Sequence, residues 1–255
     1  SILHPDKNML TWLGHASFKI ECTEPTTHAK RILFIDPWLS GPTCPESERN
    51  QAHADVILVT HGHYDHCADA PKLSQQTGAI VVGTFELAKI MQTQGAAQIY
   101  GMNKGGVFEN DFCIVHMVHA DHSGSVPADQ FPYAGDPVGY VVEFKDGTPS
   151  IYHGGDTNVN ANMQITTDLY APTIGLLPVG GRFTMGPREL AYALNKLLGS
   201  IKTVIPMHYG SFPLLTGTPE QLQVEIERVF PVDPSKRARI FIMNYGGQVE
   251  LRTLA

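Results

Sequence analysis

Residues 61–66 read His-Gly-His-Tyr-Asp-His and follow directly on an apolar run, Val56-Ile57-Leu58-Val59. This pairing constrains the fold more than any other feature of the chain. A short aliphatic run of this kind predicts a buried strand, which delivers the chain to one fixed point at its carboxyl end. The turn that follows can aim three imidazoles and one carboxylate into a common cavity. Imidazole suits zinc, iron, copper and nickel, and carboxylates extend the range towards manganese and magnesium. A closed structural zinc site would usually recruit cysteines, yet Cys22, Cys44, Cys67 and Cys113 are scattered with no CxxC pair. The string predicts metal chemistry rather than a zinc staple.

Polar islands behind later apolar runs supply further candidates. Ile114-Val115-His116-Met117-Val118 leads into His119-Ala120-Asp121-His122-Ser123, Ser150-Ile151-Tyr152 into His153-Gly154-Gly155-Asp156-Thr157, and Thr203-Val204-Ile205-Pro206-Met207 into His208-Tyr209. Each joins a strand to a polar tip, as expected where loops converge on one face of a sheet.

Strands are predicted at 9–13, 17–22, 31–36, 56–60, 79–83, 112–118, 138–144, 149–153, 174–178, 203–206, 240–243 and 248–252, and helices at 66–76, 85–93 and 187–198. In the last of these Pro187 suits the first helical position, Leu190, Leu194, Leu197 and Leu198 form one stripe, and Gly199 is the stop. A further helix starts at Thr218, where Thr218-Pro219-Glu220-Gln221 reads as a capping box; Leu222, Ile226, Val229 and Phe230 form its buried face and Pro231 its end. Strands interleaved with helices and hairpin-like pairs predict an α/β (α+β) mixed sandwich rather than a pure doubly wound sheet. No repeat or linker divides the chain, so residues 1–255 read as a single domain.

Composition enters through what it excludes. A formal charge of −7 argues against a broad phosphate-binding surface and so against a nucleic-acid partner. No apolar run approaches the length of a membrane span, and no signal-like start is present. Free thiols fit a reducing compartment, with two disulfides left open. The expectation is a soluble, cytoplasmic protein with a small-molecule substrate and no membrane partner; homo-oligomerisation is left open.

The His-x-His-x-Asp-His string, a later histidine, Gly155-Asp156-Thr157 and Met207-His208 resemble the metallo-β-lactamase superfamily of hydrolases. Thr11-Trp12-Leu13-Gly14-His15-Ala16-Ser17, Ile35-Asp36-Pro37-Trp38, Gly180-Gly181-Arg182-Phe183-Thr184-Met185-Gly186-Pro187 and Ile205-Pro206-Met207-His208-Tyr209 look like its UlaG-like branch, which includes L-ascorbate-6-phosphate lactonase. The resemblance implies a four-layer αββα sandwich, two mixed sheets flanked by helices with the site at one edge. It also implies two divalent metal ions, zinc foremost, with manganese and iron open. His61, His63 and His122 would hold the first ion, Asp65, His66 and His208 the second, and Asp156 would bridge them. His122 is preferred to His119 because it precedes Ser123-Gly124-Ser125, as in the family pattern. Two ions roughly 3.5–4 Å apart can share a hydroxide, the nucleophile such hydrolases need.

Other residues carry weaker expectations. Asp36 resembles the strand-end aspartate that orients metal-binding imidazoles, a role that fixes tautomer and aim; a turn cap is the alternative. His15 lines the site edge or packs in the core. Arg182 holds an anionic substrate group or is a solvated loop arginine. His153 and Tyr209 touch substrate or pack, and His153 joins Asp65 as a candidate for proton delivery to the leaving group. Cys67 reads as a buried thiol at a helix start. The function expected is hydrolysis of ester or lactone bonds, with phosphodiesters second. An iron-dependent oxidoreductase and a non-catalytic metal-binding regulator are the readings from other classes. His63 stands where the di-iron branch typically has an acidic residue, and the complete ligand set argues against a regulator.

Overall fold

The computed structural model describes residues 7–126, 132–228 and 233–255. The first half runs β1 (Met9–Trp12), β2 (Phe18–Thr23), β3 (Lys30–Ile35), β4 (Val56–Leu58), α1 (Tyr64–Cys67), α2 (Ala70–Thr77), β5 (Ile80–Thr84), α3 (Phe85–Thr93) and β6 (Gln98–Met102). The second runs β7 (Val107–Glu109), β8 (Cys113–His119), β9 (Val138–Phe144), β10 (Ile151–His153), α4 (Asn162–Tyr170), β11 (Ile174–Pro178), α5 (Pro187–Lys196), β12 (Thr203–Met207), α6 (Pro219–Arg228), β13 (Arg239–Ile240) and β14 (Gln248–Glu250). The strands form two sheets, ordered β14-β1-β2-β3-β4-β5-β6 and β13-β12-β11-β10-β9-β8-β7.

Side-chain alternation explains the layering. In β3, Leu33 and Ile35 face the other sheet while Phe34 points outward, and in β4, Val56 and Leu58 face inward while Ile57 points outward. Successive side chains on a strand take opposite faces, so a strand apolar on both must be covered on both. Between the sheets Leu10, Phe18, Ile20 and Leu58 meet Val115, Val142, Ile174 and Ile205. Behind the first sheet, α2 and α3 bring Leu73, Leu87 and Met91 onto Phe34, Ile57 and Val81. Behind the second, Met163, Leu190, Leu222 and Ile226 of α4, α5 and α6 cover Val141, Tyr152 and Val204. The result is the expected αββα sandwich of two mixed sheets.

Strand direction then fixes where function sits. β3 and β4 are parallel, and two antiparallel steps through β2 make β1 run the same way. In the other sheet β10, β11 and β12 are parallel, and two antiparallel steps through β9 align β8 with them. The loops after β1, β3, β4, β8, β10 and β12 thus leave from carboxyl ends, where open α/β sheets place their sites.

Several boundaries differ from the sequence reading. The helix expected over 66–76 is divided into α1 and α2, with Pro71 in the first turn of the second. Proline lacks an N–H and clashes with the carbonyl four residues back, so it starts a helix rather than continuing one. β6, β7 and α4 had no usable periodicity: β6 is a largely exposed edge strand, and α4 buries only Met163 and Thr166. The strands expected at 240–243 and 248–252 are shorter, the latter giving way to a 3-10 turn at Leu251–Leu254. Val229, Phe230 and Pro231 lie outside the described residues. All four cysteines are buried free thiols, which removes the disulfide alternative, and burial pushes the Cys67 thiol up to about 12. Among the described residues no helix is long and apolar enough to cross a membrane.

One polar strut ties the sheets together beneath the metal-binding string. The fully buried Tyr140 hydroxyl on β9 donates to the Val59 carbonyl at 2.8 Å, with the Val82 carbonyl at 3.3 Å. Tyr140→Phe should lower unfolding stability by about 1–2 kcal/mol, because it removes a buried bond and strands its acceptor. Urea denaturation checks this; an unchanged midpoint would mean the strut contributes nothing.

Candidate metal centre

The centre is built from strand ends that would be unfavourable in isolation. His15, Asp36 and His208 all have positive φ (52°, 47° and 57°) although none is glycine. Such positions cost of order 1–3 kcal/mol each and persist where surrounding structure over-determines them. Glycine makes room for two of the loops. A Cβ at Gly155, whose φ is +63°, would meet the Val138 carbonyl at 2.5 Å, and one at Gly180 would meet the His208 carbonyl at 2.0 Å. Neither Asp156 nor His208 could reach its place with a side chain at those glycines.

Asp36 organises the imidazoles. One of its oxygens accepts the Thr60 backbone N–H at 2.7 Å; the other accepts the Thr60 hydroxyl at 2.6 Å and His66 Nδ1–H at 2.7 Å. The Thr60 hydroxyl proton is thereby committed, so its oxygen accepts from His61 Nδ1–H at 2.9 Å. Both rings commit Nδ1–H to these acceptors and turn Nε2 towards the centre, so that the neutral form of each is the tautomer a metal ligand requires. His61 Nε2 and His63 Nδ1 face each other at 3.1 Å, close to the separation of two ligands on one tetrahedral ion.

Two groups of ligand atoms gather, each within 4.8 Å: His61, His63, His122 and Asp156, and His15, Asp65, His66 and His208. Asp156 touches both, with Oδ2 at 3.5 Å from His122 Nε2, 3.2 Å from His66 Nε2 and 3.0 Å from His208 Nε2. His15 has a different task. Its Nε2 donates to Asp65 Oδ2 at 2.8 Å and its Nδ1 meets the Ser211 hydroxyl at 2.5 Å, so it orients Asp65. Buried and beside His208, it has its pKa lowered to about 4 and is neutral.

These residues fit a cation by two tests. His66 Nε2, His122 Nε2, His208 Nε2 and Asp156 Oδ1 are buried with no hydrogen-bond partner, an arrangement that native interiors avoid. The charge balance agrees. Burial alone would raise the Asp65 and Asp156 carboxyls, yet His66 with the His15 bond holds Asp65 well below the usual range, and His208 with His66 does the same for Asp156. Burial holds His61, His63 and His122 low and neutral. His66 alone goes up: burial would lower it, but Asp156, Asp65 and Asp36 overcome that. Three carboxylates around one imidazole leave negative charge in excess.

The sequence candidates fall unevenly. His122 joins the cluster and lines the cavity, whereas His119 belongs to neither group and His116 bonds Glu143 at 3.0 Å and stacks on Tyr170. Asp36 takes the orienting role, and Arg182 stands exposed at the cavity rim. His153 needs correction as a proton donor. It is fully buried, with Nε2 on the Ala16 carbonyl at 2.9 Å and Nδ1 accepting the Gly155 N–H at 3.1 Å, so neither nitrogen reaches the cavity. Tyr209 packs against Trp12 with ring centres 5.4 Å apart and does not line the cavity. Sequence reasoning missed Thr60 and Ser211, whose only signal was adjacency to the ligand strings. It also missed the cavity walls, which carried none.

The cavity over the centre holds about 690 Å³ and is lined by His63, Asp65, His122, Asp156 and His208 on its floor. A model of the β-lactamase superfamily domain matches residues 30–209, which include every strand-end loop of the centre except that after β1. The chain belongs to the metallo-β-lactamase superfamily. It is 44% identical over 226 residues to a UPF0173 metal-dependent hydrolase of Myxococcus xanthus, covering 88% of this chain and 78% of that one. A relative of the same description from Herpetosiphon aurantiacus is 46% identical over 225 residues, covering 86% and 90%. Among solved structures, Igni18, a metallo hydrolase from Ignicoccus hospitalis, superposes with a TM-score of 0.78 at 28% identity, over 96% of this chain and 98% of that one. The protein is a metal-dependent hydrolase of the superfamily.

Asp36→Asn isolates the orienting role, because asparagine tolerates the left-handed backbone but presents an N–H where His66 needs an acceptor. Metal affinity should fall about 10–100-fold with the fold intact, read by competition with a coloured chelator. Unchanged affinity would show that Asp36 acts only as a turn cap.

Proposed function

We propose that this protein hydrolyses ester or lactone bonds of small, anionic molecules with two divalent cations, zinc foremost. His61, His63 and His122 would hold one cation, Asp65, His66 and His208 the other, and Asp156 both. The observation that carries the reading is the position of Asp156, whose one oxygen lies within 3.5 Å of imidazole nitrogens from both groups. Divalent cations there would supply Lewis acidity, bringing the pKa of water from 15.7 towards about 7 and stabilising charge on the scissile oxygen.

The chain's own groups do the rest. Thr60 and Asp36 fix the imidazole tautomers, and His15 fixes the Asp65 carboxylate. Asp65 lines the cavity, and a carboxylate held so far below its ordinary value accepts a hydrogen bond from the attacking water without keeping its proton. It orients the nucleophile. His153, turned into the core, takes no part in delivering a proton to the leaving oxygen. Arg182, at the rim with its guanidinium 5.7 Å from the Phe183 ring centre, supports an anionic group on the substrate. The ester or lactone assignment rests on resemblance to the lactonase-containing branch.

Replacing His61 and His63 together by alanine should remove the cation they share, lowering the bound metal by about one ion per chain, and reduce hydrolysis by at least about a thousandfold. The checks are elemental analysis and assays against lactones, esters, phosphodiesters and β-lactams, with circular dichroism as the folding control. Hydrolysis retained without bound metal would overturn the mechanism. Turnover confined to phosphodiesters would overturn the bond assignment alone.

A further inference from the structure

The cavity walls differ sharply from its floor. Above the histidines and carboxylates stand Tyr64, Phe183, Phe212, Pro213 and Leu214, with Arg182 as the one Lys or Arg in the lining among the described residues. Three of these apolar groups are far more exposed than their size would suggest: Tyr64 is 49% exposed, Phe183 51% and Leu214 49%. An exposed Leu alone needs no explanation, but a cluster of large apolar side chains around one concave site does. They come from three separate segments: Tyr64 from the start of α1 within the metal-binding string, Phe183 from the loop before α5, and Phe212, Pro213 and Leu214 from the loop after His208. Inner contacts brace the wall. Phe212 lies against Trp38 and His15 with ring centres 5.7 and 5.6 Å apart, and Tyr64 meets Trp38 edge-on at 5.7 Å.

A polar, hydroxyl-rich substrate would leave this wall wet and its own hydroxyls without partners, because the wall offers few hydrogen-bonding groups. We propose that the substrate is amphipathic: an ester or lactone whose acyl part is an apolar chain or ring lying against Tyr64, Phe183, Phe212 and Leu214. The inference rests on the hydrolysis reading for its chemistry. One water is consumed, the acyl carbon–oxygen bond breaks, the hydroxyl goes to the acyl carbon and the proton to the leaving oxygen. It differs from the sugar-like lactone that the branch resemblance would suggest. A cavity of about 690 Å³ is large enough for a chain of medium length together with the reacting group.

Two measurements on the metal-loaded protein separate this inference from the hydrolysis reading. The first is the kcat/KM series for p-nitrophenyl esters from acetate to decanoate. It should rise about two- to fourfold per added methylene until the cavity is filled. Leu214→Asp and Phe183→Asp, both at exposed positions, should each collapse the ratio of long-chain to short-chain kcat/KM towards one. The second is calorimetric binding of inert ligands, in which octanoate should bind at least tenfold more tightly than acetate or gluconate. Octanoate bound tightly by a protein that cleaves no ester would uphold the apolar site and overturn the hydrolysis reading. Equal kcat/KM for acetate and octanoate esters, or gluconate bound as tightly as octanoate, would overturn the amphipathic substrate. A flat series in the unsubstituted protein, together with a dimer that Leu214→Asp dissociates, would overturn it in favour of a subunit contact.

Discussion

The centre depends on one buried carboxylate. Asp36 ends β3 in a left-handed conformation and takes three hydrogen bonds, two from Thr60 and one from His66. Through the Thr60 hydroxyl its influence reaches His61 as well. Two adjacent parallel strands are thereby pinned at their carboxyl ends, and two imidazoles receive the same tautomer. A side chain that presented an N–H there could not play this part, because only an acceptor can impose Nδ1 protonation on a ring whose other nitrogen must stay bare. Fold and chemistry share the same atoms here.

The electrostatics follow from that arrangement. Asp36, Asp65 and Asp156 are brought around buried imidazoles, most of which burial keeps neutral. The accumulated negative charge and the partnerless nitrogens would be destabilising alone, and a bound cation would relieve both at once. The positive-φ positions at His15, Asp36 and His208 fit the same account, since local backbone cost is tolerated where many surrounding contacts hold it. What the two core layers supply is stiffness: Tyr140 bonds the sheets together immediately below the string.

The candidate metal centre and the cavity wall above it come from different parts of the molecule. The floor comes from strand ends locked into both sheets, which makes the reacting geometry rigid. The wall comes from the start of α1 and from two loops, with apolar side chains that reach open space. Loops can vary without disturbing strands, so one scaffold can keep its chemistry and change its substrate.

How much was legible in the sequence depended on whether a signal was local. The apolar run of β4, the interleaved strand-like and helical stretches, the proline and leucine stripe of α5 and the density of 61–66 are local patterns; they predicted a mixed sandwich and the main cluster, and the family resemblance added the αββα layering. β6 and α4 were illegible because one is an exposed edge and the other buries little, so neither has a strong period to read. His153 misled because its neighbours in sequence are candidate ligands. The pleat turns its ring the other way, onto the Ala16 carbonyl, and one residue's difference on a strand reverses the face. The sequence alone determined which residues could serve as ligands and that a buried strand would present them at one edge. Only the tertiary structure decided which nitrogens are bare, that His122 rather than His119 joins them, and that the wall above is apolar. Those outcomes depend on side-chain direction and on loops distant in sequence, which meet only when both sheets are packed.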